Sequence, residues 1–152
     1  MDKEQYLRSM EAVEPLLYHI AWTMLRMPQD VEDAMQETAL RAWEKRQTLR
    51  QTDSFRPWTA RIMVNVCSSL LHRRNRILTL PEPMQPFSQP HDDDLTLSLH
   101  SLPEQYRLPM LLYYVEGMSD REIAAILRLP ASTVRGRIYR AKKQLRKELA
   151  EQ

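Results

Sequence analysis

Glycine is nearly absent from this chain, with two in 152 residues. That excludes the phosphate-cradling loops, because neither G-x-G-x-x-G nor G-x-x-x-x-G-K-[ST] can be written. Cysteine occurs once, as Cys67. An intramolecular disulfide and a Cys-cluster zinc site are both excluded, and a reducing, cytoplasmic location fits. No run approaches the ~18 apolar residues of a membrane span, so no membrane insertion is expected. The opening residues, Met1-Asp2-Lys3-Glu4-Gln5, are polar and acidic, unlike a signal peptide. Enzyme signatures are missing too. His19, His72, His91 and His100 are scattered, without H-E-x-x-H, and no G-x-S-x-G or Cys-His pattern stands out. Asp92-Asp93-Asp94 reads as a solvated acidic run. No catalytic residue, metal site or cofactor is expected. Lys plus Arg is 22 against 20 for Asp plus Glu, so a net charge of +2 says little. The placement of the charges says more.

The apolar pattern is helical nearly throughout, which predicts an all-α fold. Met10, Val13, Leu17, Ile20 and Met24 recur at helical spacing, with a break or kink expected near Glu14 because Pro15 interrupts the run. A second helix is expected from about Asp30 to about Arg46, with Asp30, Glu32 and Asp33 favoured by the dipole of its first turn. Gln47 to Asp53 reads as a loop. Asp53 or Ser54 can cap a third helix with Pro57 in its first turn, carrying Trp58, Ile62, Asn65, Val66 and Leu70 and ending at His72–Arg76. Residues 77–94 hold four of the ten prolines and no period, and read as a Pro-rich linker. A short apolar stretch, Leu95 to Leu102, then opens a second module. Ser101-x-x-Glu104 has the form of a capping box, and Gly117 suits a left-handed helix end. Ser119-x-x-Glu122 is a second capping box, starting a short helix with Ile123, Ala124 and Leu127. After a turn at Arg128-Leu129-Pro130, a last helix places Val134, Ile138, Ala141, Leu145 and Leu149 on one face. The chain is thus expected to form two small helical domains, 1–76 and 95–152, joined by the linker.

The last segment carries the sharpest chemistry. Ser132 to Lys147 contains seven basic residues (Arg135, Arg137, Arg140, Lys142, Lys143, Arg146 and Lys147) and no acidic one. A short capped helix, a tight turn and a basic second helix form the helix-turn-helix layout that enters a major groove. Lys and Arg displace counterions from phosphates, and Arg can bond a guanine edge through two donors. A basic helix C-terminus explains Arg146 and Lys147 equally well, but Arg135 and Arg137 lie near the helix start, where the dipole opposes them. Gly136 reads either as a close approach of backbone to DNA or as a tolerated mid-helix glycine. On the second helix, Asp33, Gln36, Glu37 and Leu40 form a polar stripe away from Val31, Met35, Thr38 and Ala42. By itself that stripe is ordinary solvated surface, and Trp43 is more often core. On the third helix, Phe55 and Trp58 with Arg61, Asn65, Arg73, Arg74 and Arg76 suit single-stranded nucleic acid, although at least one of the two aromatics is expected in the core.

The ordered set resembles a bacterial RNA polymerase sigma factor of the extracytoplasmic-function (ECF) group. Asp30-Val-Glu-Asp33-Ala-Met-Gln36-Glu37-Thr-Ala-Leu40-Arg41-Ala-Trp43 looks like that family's polymerase-binding helix. Phe55-Arg-Pro-Trp58-Thr-Ala-Arg61-Ile62-Met-Val-Asn65 looks like its promoter-melting helix. Leu102-Pro103, then Gly117-Met-Ser119-Asp-Arg-Glu122-Ile123-Ala124, then Pro130-Ala-Ser-Thr133-Val134-Arg135-Gly136-Arg137-Ile-Tyr-Arg140-Ala141-Lys, looks like its promoter-reading module. The resemblance implies that residues 1–76 (region 2) bind core RNA polymerase through Asp33, Gln36, Glu37 and Trp43. It implies that Asn65 and the Gln47–Ser54 loop hold a flipped base of the melted minus-ten strand, beside Arg61, Arg73, Arg74 and Arg76. Residues 95–152 (region 4) would read the minus-thirty-five duplex through Thr133, Arg135, Gly136, Arg137, Arg140, Lys142 and Lys143. An anti-sigma protein is implied as a further partner. Thr59 stands where the family usually has Leu, Ser69 where an acidic residue is common, and Ser132 where Gly is frequent. A conventional helix-turn-helix regulator with a sensing or dimerising N-terminal half is the alternative, and it need not bind polymerase.

Overall fold

The structure is a computed structural model that describes residues 1–50, 54–77 (backbone only for 75–77) and 99–150. The proposed linker 77–94, the candidate cap Asp53, the Asp92–Asp94 run, His91 and residues 95–98 of the apolar stretch lie outside the described residues, apart from the helical end at Ile77. Among the described residues every regular element is helical. The chain divides into two compact units, Met1–Met84 and Gln85–Gln152.

In the N-terminal unit three helices pack against one another: α1 (Lys3–Leu25), α2 (Pro28–Lys45) and α3 (Phe55–Ile77). An Asp2–Gln5 capping box starts α1. No break occurs near Glu14, and α1 continues through Pro15 as one helix. An interior proline costs about 3 kcal/mol. Val13, Leu16, Leu17 and Ile20 are buried around it, and each such side chain recovers roughly 1.5–3 kcal/mol. Pro15 and Glu11 are both exposed, so water can reach the Glu11 carbonyl left without its helical donor. Helix α2 begins at Pro28, two residues earlier than expected. A proline at the first helical position has no N–H to leave unsatisfied. After Lys45 the chain tightens into a 3₁₀ turn, Arg46–Thr48.

Two threonines are wholly buried in this core. The Thr38 hydroxyl contacts Met63 Sδ at 3.4 Å. Thr59 donates to the Phe55 carbonyl at 2.5 Å, which lets a polar residue fill an apolar position without an unpaired hydroxyl. Cys67 is also buried, and desolvation pushes its thiol up to about 12.

The C-terminal unit is built from α4 (Glu104–Met110), which continues as a π-turn over Leu111–Val115, then α5 (Asp120–Leu127) and α6 (Ala131–Ala150). Both α4 and α5 pack on α6. The Ser101–Glu104 capping box does not form. Pro103 is the N-cap, and the Ser101 hydroxyl instead donates to Glu148 Oε2 at 2.7 Å, across to the end of α6. The Ser119–Glu122 box forms in both directions, each bond 3.2 Å long. Gly117 adopts φ +67°, the left-handed conformation expected of it. With so few glycines available, two other left-handed positions fall to Arg26 (φ 60°) and Arg128 (φ 56°), the caps of α1 and α5. Val134, Ile138 and Ala141 are buried as expected, whereas Leu145 is half-buried and Leu149 is 61% exposed.

Candidate nucleic-acid and polymerase interfaces

On α2 the sequence stripe becomes a surface. Asp33, Gln36, Glu37 and Leu40 are all exposed, while Val31, Thr38 and Ala42 face the core together with Ala34, and Met35 is only half-buried. Glu37 accepts from Arg41 Nε at 2.9 Å, one turn along. Trp43 is half-buried. Its ring meets Tyr6 edge-on at 5.1 Å, and the Arg46 guanidinium lies over it at 3.5 Å. Tyr6 also meets Phe55 at 6.3 Å, and Phe55 meets Trp58 at 5.6 Å. Tyr6 donates its hydroxyl to the Ala39 carbonyl, and burial raises its pKa. This aromatic cluster joins the start of α1, the end of α2 and the start of α3. Phe55 and Trp58 are each half-buried, at the edge of the core rather than inside it.

The basic residues of α3 do not share one face. Arg61, Asn65 and His72 are spaced along one stripe, with Arg73 exposed beside it. Arg74 points elsewhere and donates to Asp30 Oδ2 at 2.9 Å, tying the end of α3 to the start of α2. The side chain of Arg76 and residues 51–53 of the Gln47–Ser54 loop lie outside the described residues.

Helix α6 presents its basic residues on two flanks of the buried Val134–Ile138–Ala141 face. With about 100° per residue, Arg135, Tyr139 and Lys142 fall on one flank, and Arg137 and Arg140 on the other. Each flank is organised by the helices beneath. Arg135 donates through Nη1 to Asp120 Oδ2 at 2.8 Å. That bond and the charge of Arg135 hold the Asp120 carboxyl below the usual carboxylate range. The pair is therefore complete above that range and is lost as pH falls through the lowered Asp120 pKa. Lys142 lies 5.2 Å and 5.3 Å over the rings of Tyr113 and Tyr114, and a hydrogen bond with Tyr114 raises its pKa. Arg140 donates to the Tyr106 hydroxyl at 3.2 Å. Arg137 and Thr133 are half-buried, and Lys143 is exposed.

Tyr139 carries no charge to mark it in the sequence, yet it is 68% exposed on the flank of Arg135 and Lys142. The signal was its position, four residues after Arg135 and five after buried Val134. Together with Tyr113, Asp120, Arg135 and Lys142 it lines an open groove of about 480 Å³.

Gly136 lies under the Arg140 guanidinium, whose Nη1 would sit 3.2 Å from an added Cβ. The neighbour is the far end of a flexible side chain and can yield. Gly136→Ala is therefore expected to stabilise the C-terminal unit by up to about 1 kcal/mol, through helix propensity. It should also displace Arg140 from Tyr106. Thermal melts and the Tyr106 ring resonances check both effects. A lowered melting temperature would show that the position is too tight for a methyl group.

Comparison with known proteins matches residues 10–77 to Sigma-70 region 2 and residues 92–145 to Sigma-70 region 4. The ECF RNA polymerase sigma-E factor of Salmonella typhimurium is 30% identical over 139 residues, covering 76% of this chain and 72% of that protein. The chain belongs to the ECF group of RNA polymerase sigma factors. This sigma factor is 36% identical over 148 residues to the ECF RNA polymerase sigma factor SigE of Mycolicibacterium smegmatis, covering 88% of this chain and 57% of that protein. It spans 41% of the probable RNA polymerase sigma factor RfaY of Xanthomonas campestris, at 31% identity and with 97% of this chain covered. It thus spans about half the length of these two relatives. In fold the sigma factor is similar to RpoE of Bartonella quintana, solved in complex with the anti-sigma factor NepR. The TM-score is 0.80 at 22% identity, with 97% of this chain and 98% of that chain covered. CnrH, solved with the cytosolic domain of CnrY, has a TM-score of 0.72 at 23% identity, covering 99% of this chain and 90% of that one. No helix among the described residues of the sigma factor is long and apolar enough to cross a membrane.

Proposed function

We propose that this sigma factor binds core RNA polymerase and directs promoter-specific initiation, with the N-terminal unit engaging the melted minus-ten strand and the C-terminal unit reading the minus-thirty-five element as duplex. One observation carries the reading. Helix α6 follows a capped helix and a tight turn, turns Val134, Ile138 and Ala141 into the core, and leaves Arg135, Arg140, Lys143, Arg146 and Lys147 exposed. That is the arrangement of a recognition helix.

Residues 1–76, 77–94 and 95–152 serve in this reading as region 2, linker and region 4. Arg135, Arg140 and Lys143 meet the duplex, Tyr139 joins them by its exposure, and half-buried Gly136 and Lys142 lie beside them. Arg137 and Thr133, half-buried, stand at the margin of that surface. Arg61, Asn65 and Arg73 face the melted strand. Arg74 serves that strand only if it leaves Asp30, so a structural role within α2–α3 fits it better. An anti-sigma protein is the proposed regulatory partner, supported by the complexes in which RpoE and CnrH were solved.

Asp33, Gln36 and Glu37 form the polymerase face, with Trp43 holding the end of α2 in place through Tyr6 and Arg46. Gln36→Ala combined with Glu37→Ala is expected to lower affinity for core polymerase while leaving the melting curve nearly unchanged, because such exposed positions usually alter stability by less than about 0.5 kcal/mol. Co-purification with core enzyme and run-off transcription on promoters of the source genome test the function. A folded double variant with undiminished polymerase binding removes this docking face. A wild-type chain that ignores core polymerase but binds dyad duplex sites alone would instead be a conventional regulator.

A further inference from the structure

The Asp120 carboxylate is fixed before any ligand arrives. The Ser119–Glu122 box places it at the first position of α5, where the helix dipole favours an anion. Its Oδ1 accepts the Arg121 backbone N–H at 2.9 Å, and its Oδ2 accepts from Arg135 Nη1 at 2.8 Å. Both oxygens are engaged from different directions, so the carboxylate cannot rotate without losing a bond. The Arg135 side chain is nonetheless 60% exposed at the rim of the groove shared with Tyr139 and Lys142. Asp120 holds Arg135 by one terminal nitrogen. The other edge of the guanidinium, Nε and Nη2, has no partner among the described residues.

Two parallel N–H donors on one guanidinium edge match the O6 and N7 acceptors of guanine in a major groove. An unrestrained arginine on the same helix would sample many rotamers and settle on phosphates, the strongest and most numerous anions near a duplex. A carboxylate beside the guanidinium changes that balance. It orients the fork, and its charge is repelled by phosphates.

We propose that Asp120 is a positioning residue that aims the Nε–Nη2 edge of Arg135 at a guanine in the duplex read by α6, making a base reader of an otherwise phosphate-seeking cation. The inference rests on the promoter-reading role of the C-terminal unit and adds to it a specificity device supplied by the neighbouring helix.

The test uses the full chain assembled with core polymerase. The variants are D120N, D120E, R135A, R135K and the D120N/R135A pair. They are compared on duplexes in which each minus-thirty-five base pair is varied in turn, at several salt concentrations. D120N is expected to reduce preference at one guanine position about 5- to 10-fold, while affinity for unrelated duplex rises. The slope of log K against log salt should steepen by about 0.9, one additional phosphate contact. D120E should restore part of the preference. In the R135A background D120N should have no effect on preference, a result that a purely structural role for Asp120 would not produce. R135K keeps the charge without the fork and should lose the preference at unchanged salt slope, a test that does not depend on how D120N folds. Unaltered preference in D120N, or equal weakening on every sequence, overturns the proposal. If R135A keeps the preference, Asp120 has nothing to aim and the proposal falls, while promoter reading by other residues of α6 stands. If the wild-type complex shows no preference at any minus-thirty-five position, the promoter-reading role falls with it.

Discussion

Replacing Ile123 by alanine is expected to melt the C-terminal unit while leaving the N-terminal unit folded. Ile123 is fully buried on α5, the helix that supports α6. Truncating such a side chain costs roughly 2–5 kcal/mol, since the cavity left behind collapses only partly. The unit spans Gln85–Gln152, and a unit of that size has only roughly 3–10 kcal/mol to lose. The loss is therefore comparable with the whole stability of the unit. Hydrogen exchange read by mass spectrometry checks this directly. Amides of α4, α5 and α6 should lose protection together, and those of α1 to α3 should keep theirs. Loss of protection in α1 to α3 as well would mean that the two units stand or fall as one cooperative body.

The second large effect concerns how α6 divides its labour between bases and phosphates. Arg140→Ala is expected to relax preference at one minus-thirty-five position by about 1–3 kcal/mol, the worth of a two-pronged contact to a guanine edge. Arg140 is anchored on Tyr106 by a bond of 3.2 Å with its guanidinium 5.9 Å from the ring, so it starts from a defined position. Lys143→Ala should instead weaken binding to every sequence alike and reduce the salt slope by about 0.9. Lys143 is exposed on the outer face of α6 and carries a point charge rather than a fork. Binding of the polymerase complex to promoter variants at several salt concentrations separates the two. Identical, sequence-independent losses would remove the base-reading role of Arg140.

The two outcomes join at the packing of α6. Val134 and Ile138 set its rotation, and that rotation decides which cations reach solvent. Arg137 is half-buried and Tyr139 exposed, although 100° per residue places both beside the buried face. Periodicity identified the inward face over Val134, Ile138 and Ala141, but not at Leu145, which is half-buried, or Leu149, which is exposed. It did not distinguish the two flanks, because their exposure depends on which neighbouring helix covers each one.

What the sequence determined by itself was local. The Ser119–Glu122 box, the left-handed Gly117 and the buried face of α2 were legible because every group involved lies within a few residues along the chain, where helix geometry fixes the neighbours. The order of motifs was legible for the same reason and pointed to the family. The tertiary structure decided everything that joins distant residues. Arg135 finds Asp120 across 15 positions, Arg140 finds Tyr106 across 34, Arg74 finds Asp30 across 44, and Ser101 leaves Glu104 for Glu148 across 47. It also overrode the local rule at Pro15, because burial of the side chains around that residue outweighs the one hydrogen bond that proline removes. Propensity acts over one helical turn. The partners that orient the basic residues of this sigma factor are brought to them only when the helices pack.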